Sequence, residues 1–379
     1  MKQTLLILIV LISLKTEAQS SVLSVADSLY MMGNYTKAIE TYSQHPVKED
    51  TFEGIARSYL ALGNYDEALV YYDRAYNNDE ENMLLKYDYA KLLAKMKRYE
   101  KAARFFSELI DVDYKNPNFH YELGAVLEKT ADSLGKAQNR FHSAYELDNT
   151  HQKAIYKIAR FHLVKRHHEL VDKYVDQGLK SYANNKELIS LKAQNFYWQE
   201  MYDDAAVWFQ KLIDLGESSQ FLHEKLSFCY MRIYDNKNAK IHCEKALKYE
   251  PKNPTNLYIL GQIYQQEQDY VNAEKYFKKA LEILDSTLDA EYTKLAMVLN
   301  FQDKYEEAIK TLQKAINENP KNIQAQFFML TTKSAYYQDL DEKIKLHEEF
   351  INKFPEGWYT KHVKQLLVKL KEEKFMQKE

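Results

Sequence analysis

The chain has 379 residues, 28% of them charged, and the charges nearly balance to a formal net charge of −3. Without a basic excess the composition offers nothing to nucleic acid, and without a block of like charge it marks no disordered tail. Glycine and proline, at 9 and 6 copies, are too scarce for a turn-rich all-β protein, whereas tyrosine reaches 31 copies.

Taken in chain order, the first element stands apart from the rest. Lys2 makes a positive start and Leu5 to Leu14 form an apolar run. Its length suits a signal-peptide core and falls short of the roughly 20 apolar residues of a membrane span. Thr16-Glu17-Ala18 puts small residues where a signal peptidase reads, so residues 1–18 are expected to be a signal peptide cleaved after Ala18. An uncleaved N-terminal anchor is the alternative. No cysteine lies near that point, so no lipid anchor is expected. The chain is expected to be exported, with the periplasm favoured over full secretion.

Beyond it the sequence repeats. Residues 33–42 read GNYTKAIETY and residues 63–72 read GNYDEALVYY. Aligning on the alanine after the tyrosine gives Ala38, Ala68, Ala102, Ala137, Ala205, Ala239, Ala273 and Ala308, with Val171 in the one missing slot and Lys343 as a weaker last copy. From Ala68 onward the period is 34 or 35 residues, repeated about ten times in all. In residues 254–285, Leu260, Gly261 and Tyr264 fall on one face of a first helix, and Tyr270, Ala273, Phe277 and Ala280 on one face of a second. Gly261, Ala273 and Ala280 let the two helices approach, and Tyr264 and Phe277 fill the space beside the contact. The same frame runs through Ala193, Phe196, Tyr202, Ala205, Phe209 and Leu212, and again through Ala296, Leu299, Tyr305, Ala308, Leu312, Ala315 and Pro320.

These residues in register resemble the tetratricopeptide repeat family over roughly residues 20 to 357. The resemblance implies an all-α, right-handed superhelical solenoid of about ten helix-turn-helix repeats, residues 19–357, closed by a C-terminal capping helix, residues 358–379. Asn116-Pro117 and Asn253-Pro254 each supply an N-cap and an N1 proline for a first helix. Pro46 is expected to stop the second helix of the first repeat early, which shortens the first step to 30 residues. The fourth repeat carries an extra turn residue around Asp132 to Gly135. The fifth keeps the hydrophobic frame and loses most of the repeat's letters. At the end, Val363, Leu366, Leu367 and Leu370 stripe an amphipathic helix that suits a polar-backed cap.

The resemblance further implies a concave surface lined by first helices. Counted from each repeat's small anchor residue, its positions carry Tyr87, Lys91 and Lys95, then Tyr121 and Lys129, then Tyr156 and Arg160. Further along they carry Tyr197 and Trp198, Phe228 and Arg232, Tyr258 and Gln262, then Phe301, and finally Phe328 and Tyr336. Rings give contact area at low entropy cost and cations catch carboxylates, so these are the candidate partner-binding residues for a peptide or protein. The alternative is that the tyrosines only pack between first helices. The Lys and Asn set with which one variant of the family grips a C-terminal carboxylate is not found in register. Glu53 and Arg57 stand at its places in the second repeat.

No metal site, cofactor site or catalytic site is expected. His162, His167 and His168 lack the i, i+4 spacing of a ligand helix, and His223-Glu224 lacks a second histidine. Nucleophile elbow, phosphate-binding glycine loop and paired CxxC are all missing. Cys229 and Cys243 fall on the two helices of one repeat and read either as a disulfide in an oxidising compartment or as two buried core thiols. The expected function is a non-catalytic protein-interaction scaffold in the cell envelope, without a membrane span once the signal is removed. A structural assembly component working through repeat ends or convex faces, and a sensory partner in signalling, are the alternatives.

Overall fold

The computed structural model of the protein describes residues 22–130, 134–284 and 288–377. The expected signal peptide, and most of the extra turn expected around Asp132 to Gly135, lie outside the described residues.

Among those residues every regular element is helical. Helix α1 covers residues 22–31 and α2 covers Tyr35–Gln44, after which the short 3-10 turn Glu49–Thr51 leads into α3 (Phe52–Ala61) and α4 (Tyr65–Asn78). There follow α5 (Met83–Lys95) and α6 (Tyr99–Val112), α7 (Pro117–Leu127) and α8 (Leu134–Leu147), α9 (Gln152–Val164) and α10 (His168–Ser181), and α11 (Lys186–Trp198) and α12 (Tyr202–Asp214). Then come α13 (Gln220–Arg232) and α14 (Asn236–Tyr249), α15 (Pro254–Gln266) and α16 (Tyr270–Leu281), α17 (Asp289–Asn300) and α18 (Tyr305–Glu318), and α19 (Ile323–Tyr336) and α20 (Leu340–Lys353). A longer last helix, α21 (Trp358–Met376), follows alone. The chain divides into two compact units, residues 1–188 and 189–379.

In the first unit α3 packs on α4, α5 on α6 and α7 on α8, and α2, α4, α6 and α8 each also pack on the next first helix. The aligned small residues cause this arrangement. Ala38, Ala68, Ala102, Ala137 and Val171 are all fully buried, because each sits where two helices cross at their closest. Gly124 shows how little room there is: a Cβ there would lie 2.8 Å from the Phe141 ring. Around the crossings, Tyr72, Tyr89, Phe105 and Phe106 fill one continuous core. Helix α2 ends at Gln44 as expected, since the residue before Pro46 takes extended backbone, with His45 at ψ 135°.

The second unit follows the same rules. Ala205, Ala239, Ala273 and Ala308 are fully buried, and a Cβ on Gly261 would lie 2.6 Å from the Phe277 ring. The weakest repeat is closed by α21, whose Val363 is fully buried in a cluster with Phe327, Leu330 and Phe350. Asn116 and Asn253 cap α7 and α15 as expected, each accepting a backbone N–H of the first turn.

One recurrent feature escaped the sequence. Between the two helices of eight of the hairpins one described residue takes the left-handed conformation: Gly33 and Gly63 early on, then Lys97, Arg166, Glu200, Tyr234, Gln268 and Asp303. The residue after it donates its N–H back to the carbonyl five positions earlier, as in Asn34 to Leu29, Arg98 to Leu93 and Asp269 to Tyr264. This is the Schellman closure, which satisfies carbonyls left open at a helix end.

Candidate functional site

In the first unit the face shared by the first helices α5, α7 and α9 gathers much of the expected set. Tyr87 on α5 sets its ring against Phe106 and Phe119, with centroids 6.0 and 5.6 Å apart. The Glu122 carboxylate on α7 lies near its hydroxyl, and burial, aided by that negative charge, pushes its pKa up to about 12. Lys91, one turn along α5, places its ammonium 5.1 Å from the Tyr87 ring centre. On α7 Tyr121 rests on Phe141 and His151, and Lys153 at the start of α9 reaches to 5.9 Å from its ring centre. Burial raises the pKa of Glu122, against the opposing pull of Lys91 on one side and Lys153 on the other.

The rings are therefore half-buried supports, while the cations stand outside them. Lys91, Lys95, Lys129, Lys153 and Arg160 are exposed, and so are the apolar Leu84 at 78% and Val164 at 74%. Leu84 lies three residues before Tyr87 and Val164 four after Arg160, so both continue the same helix faces. The surface offers cations for carboxylates and two apolar contacts, over tyrosines that are already held. Tyr156 is half-buried in line with them. Sequence reasoning missed Glu122, Lys153, Leu84 and Val164. The signal for Lys153 was present, since it stands three residues before Tyr156 on one helix face.

In the second unit Tyr197, Tyr202 and Phe228 form an aromatic triangle with centroid separations of 5.9, 5.6 and 5.6 Å. Arg232 lies 4.9 Å over Tyr202 and Lys225 4.9 Å over Tyr197. Burial pushes Tyr197 up to about 12 and raises Tyr258 as well. Trp198 and Phe301 are exposed, Phe301 stacking on Tyr270 at 4.8 Å. Tyr336 is exposed and donates its hydroxyl to Glu306, Gln262 is half-buried, and Phe328 is tucked against core residues on two sides.

Cys229 and Cys243 are free and fully buried, so of the two readings left open by the sequence the structure has core thiols and no bridge. Cys243 donates to the Asn256 carbonyl at 3.1 Å, and burial pushes both thiols up to about 12. Among the described residues no three His, Cys, Asp or Glu side chains converge as metal ligands, and no helix is long and apolar enough to cross a membrane. His162 and His167 face each other at 3.3 Å, with His162 stacked on Tyr174.

Comparison with known proteins agrees with this architecture. A family described as tetratricopeptide repeat matches residues 59–124, and one described as subunit 3 of the anaphase-promoting complex, or cyclosome, matches residues 5–75 and 232–315. The TPR repeat-containing protein MJ1428 of Methanocaldococcus jannaschii is 23% identical over 67% of this chain and 45% of its own length. The human protein O-mannosyl-transferase TMTC3 is 24% identical over 56% of this chain and 24% of its own. The chain thus spans less than half the length of these curated relatives. The crystal structure of yeast Tom70 aligns over 95% of this chain and 97% of that one, at 16% identity and a TM-score of 0.40. These matches support the resemblance to the tetratricopeptide repeat family, and the chain is similar to helical repeat proteins of that type.

Proposed function

We propose that the protein is a non-catalytic scaffold of the cell envelope that holds a peptide segment of a partner protein along the first-helix face of α5, α7 and α9. The observation that carries this reading is the set of exposed cations and apolar tips standing on immobilised tyrosines. Support rings already packed lose little freedom on binding, while Lys129 and Arg160 present charge to the solvent. The partner segment this chemistry fits is extended, acidic and punctuated by apolar side chains. Exchanging Tyr121→Ala together with Tyr156→Ala removes the supports without touching the fully buried frame. Crosslinked capture of partners from the envelope fraction by the wild type and by this variant, each of unchanged helical content, tests the reading. Loss of one partner in the variant supports it, and an identical partner set moves the site off this face.

Export, with residence in the periplasm, belongs to the same proposal and rests on residues 1–18. N-terminal sequencing of the protein recovered from cell fractions tests it: a mature start at Gln19 in the periplasmic fraction supports export, and an intact Met1 in the cytosol defeats it.

A second reading, assembly through repeat ends, is favoured by α21, which exposes Trp358, Phe375 and Met376 at 71%, 66% and 71%. Concentration-dependent size, abolished by Phe375→Ser with Met376→Ser, would turn the assignment toward it.

A further inference from the structure

A second feature lies in the second unit, away from the faces described above, where the loop after α12 meets α13 and the end of α14. A cavity of about 530 Å3 opens there, lined by Ile213, Ser218, His223, Lys245, Lys248 and Tyr249, with Gly216 and the Glu217 carboxylate also on its wall. Its floor is a chain of hydrogen bonds. The Tyr249 hydroxyl lies 2.7 Å from Ser218 Oγ, Ser218 Oγ 3.0 Å from His223 Nε2, and His223 Nδ1 3.0 Å from His242 Nδ1. Both imidazoles are more than nine-tenths buried, at 3% and 6% exposure, and Tyr230 stacks on His242.

Each link needs one donor and one acceptor, so the two Nδ1 atoms share a single proton and the whole chain points one way or the other. In one direction Tyr249 donates to Ser218 and Ser218 to His223. In the other, His242 Nδ1–H donates to His223, His223 Nε2–H to Ser218 and Ser218 O–H to Tyr249, which frees the phenol O–H to donate outward into the cavity. Both directions leave every group neutral, and switching takes up one proton at the Tyr249 end for each one released from His242 Nε2. The chain can therefore aim a donor at whatever arrives without a charge being buried.

The cavity's charge decides what that is. Lys245 and Lys248 stand one turn apart on α14, both exposed and neither with an ion-pair partner among the described residues. Burial lowers the pKa of both histidines, and the Lys245 charge adds to it, so the imidazoles are neutral near pH 7 and give the lysines no relief by ionising. Two ammonium groups outweigh the single acid, Glu217, and beside two hydroxyls and a neutral imidazole relay they match an acceptor-only, negatively charged ligand. We propose that this cavity is a binding site for a small oxyanion, a phosphate- or carboxylate-bearing molecule, held by Lys245 and Lys248 and by the hydroxyl groups of Tyr249 and Ser218.

Titration of the full chain with inorganic phosphate and, separately, with succinate tests this, at constant ionic strength set with sodium chloride and followed by calorimetry. Saturable one-to-one binding of either anion is expected, and which of them binds identifies the ligand's charged group. Lys245→Met with Lys248→Met keeps the aliphatic stems and should weaken binding by about tenfold or more. Tyr249→Phe keeps the ring and should weaken it severalfold, which holds the test open if the lysine variant proves unstable. No saturable binding in the millimolar range by either anion overturns the proposal, as does equal affinity in all three proteins. Neither result touches the peptide-binding reading, whose residues lie in other repeats.

Discussion

Lys95 at the end of α5 donates its ammonium to the Tyr65 hydroxyl at 2.7 Å and lies 4.1 Å from the ring centre, thirty residues back at the start of α4. The pair is one rung of a repeated contact. Arg232 sits over Tyr202 at 4.9 Å, Phe301 stacks on Tyr270 at 4.8 Å, and Tyr336 donates to Glu306 in the comparable place. The end of one first helix thus rests on the opening turn of the preceding second helix, and part of the tyrosine surplus is spent on that joint.

A cation engaged this way is poorly placed to serve a partner. Lys129 has no side-chain partner among the described residues, whereas Lys95 is held by Tyr65. Lys129→Ala should therefore slow association with an acidic partner and flatten its salt dependence, measured by surface plasmon resonance in two salt concentrations. Lys95→Ala should act on stability instead. A double-mutant cycle of Lys95→Met and Tyr65→Leu should return a coupling of about 0.5–1 kcal/mol in chemical denaturation. Equal effects of both lysines on association would refute the distinction.

Gly261→Ala should be more damaging than an alanine usually is in a helix. Its Cβ would come within 2.6 to 3.1 Å of three atoms of the Phe277 ring, and a ring cannot bend away as a lysine tip can. The expected loss is about 1–3 kcal/mol, read from the denaturation midpoint. Phe277→Leu in the same chain should recover part of it, and a mild Gly261→Ala that needs no rescue would show the crossing to be looser than described.

Acidification should loosen the α13–α14 hairpin. Burial, the His223 imidazole and Lys245 bring the His242 pKa down to about 4 in the folded chain, from 6.5 for an unperturbed histidine. The unfolded chain therefore takes up the proton first as pH falls. Stability is complete above about pH 6.5 and is lost between there and about 4, by on the order of 1 to 3 kcal/mol. Amide exchange in α13 and α14 at pH 7 and pH 5 measures it. Other histidines also titrate low, His223 on α13 among them, so the diagnostic comparison is His242→Asn, which should reduce the acid sensitivity of this hairpin while leaving that of α9 and α10 unchanged.

Cys229 and Cys243 should resist thiol reagents in the native protein at pH 8, since both are buried and burial keeps them protonated up to about 12. Denaturant should release both at once for labelling counted by mass spectrometry. Rapid native labelling of either would contradict the packing.

The frame was legible because each of its letters answers a local demand. Ala68 or Ala273 must be small wherever two helices cross, and the crossing recurs with every hairpin, so the period survives even where Val171 replaces alanine. Pro46 and the Asn-Pro caps speak for a single turn of chain and could be read directly. The candidate faces were legible only as positions. That Tyr87 leans on Phe119 and lies near Glu122 depends on how neighbouring repeats stack, which spacing within one repeat does not encode. The relay from Tyr249 through Ser218 to His223 and His242 was invisible for the same reason. Ser218 and Tyr249 are 31 residues apart, in a loop and at a helix end, where no periodic pattern reaches.

The left-handed turn has a consequence for how such a chain changes over time. Six of its occurrences hold side chains that pay about 1–2 kcal/mol for the conformation, against about 0.5–1 kcal/mol of extra chain entropy for a glycine. Glu200→Gly or Asp303→Gly would be mildly stabilising or neutral, while most interior changes destabilise. These corners form a spare margin, distributed along the array and remote from the frame. A lineage, or an engineer, can draw on it to offset the losses incurred when a surface is remodelled for a new partner.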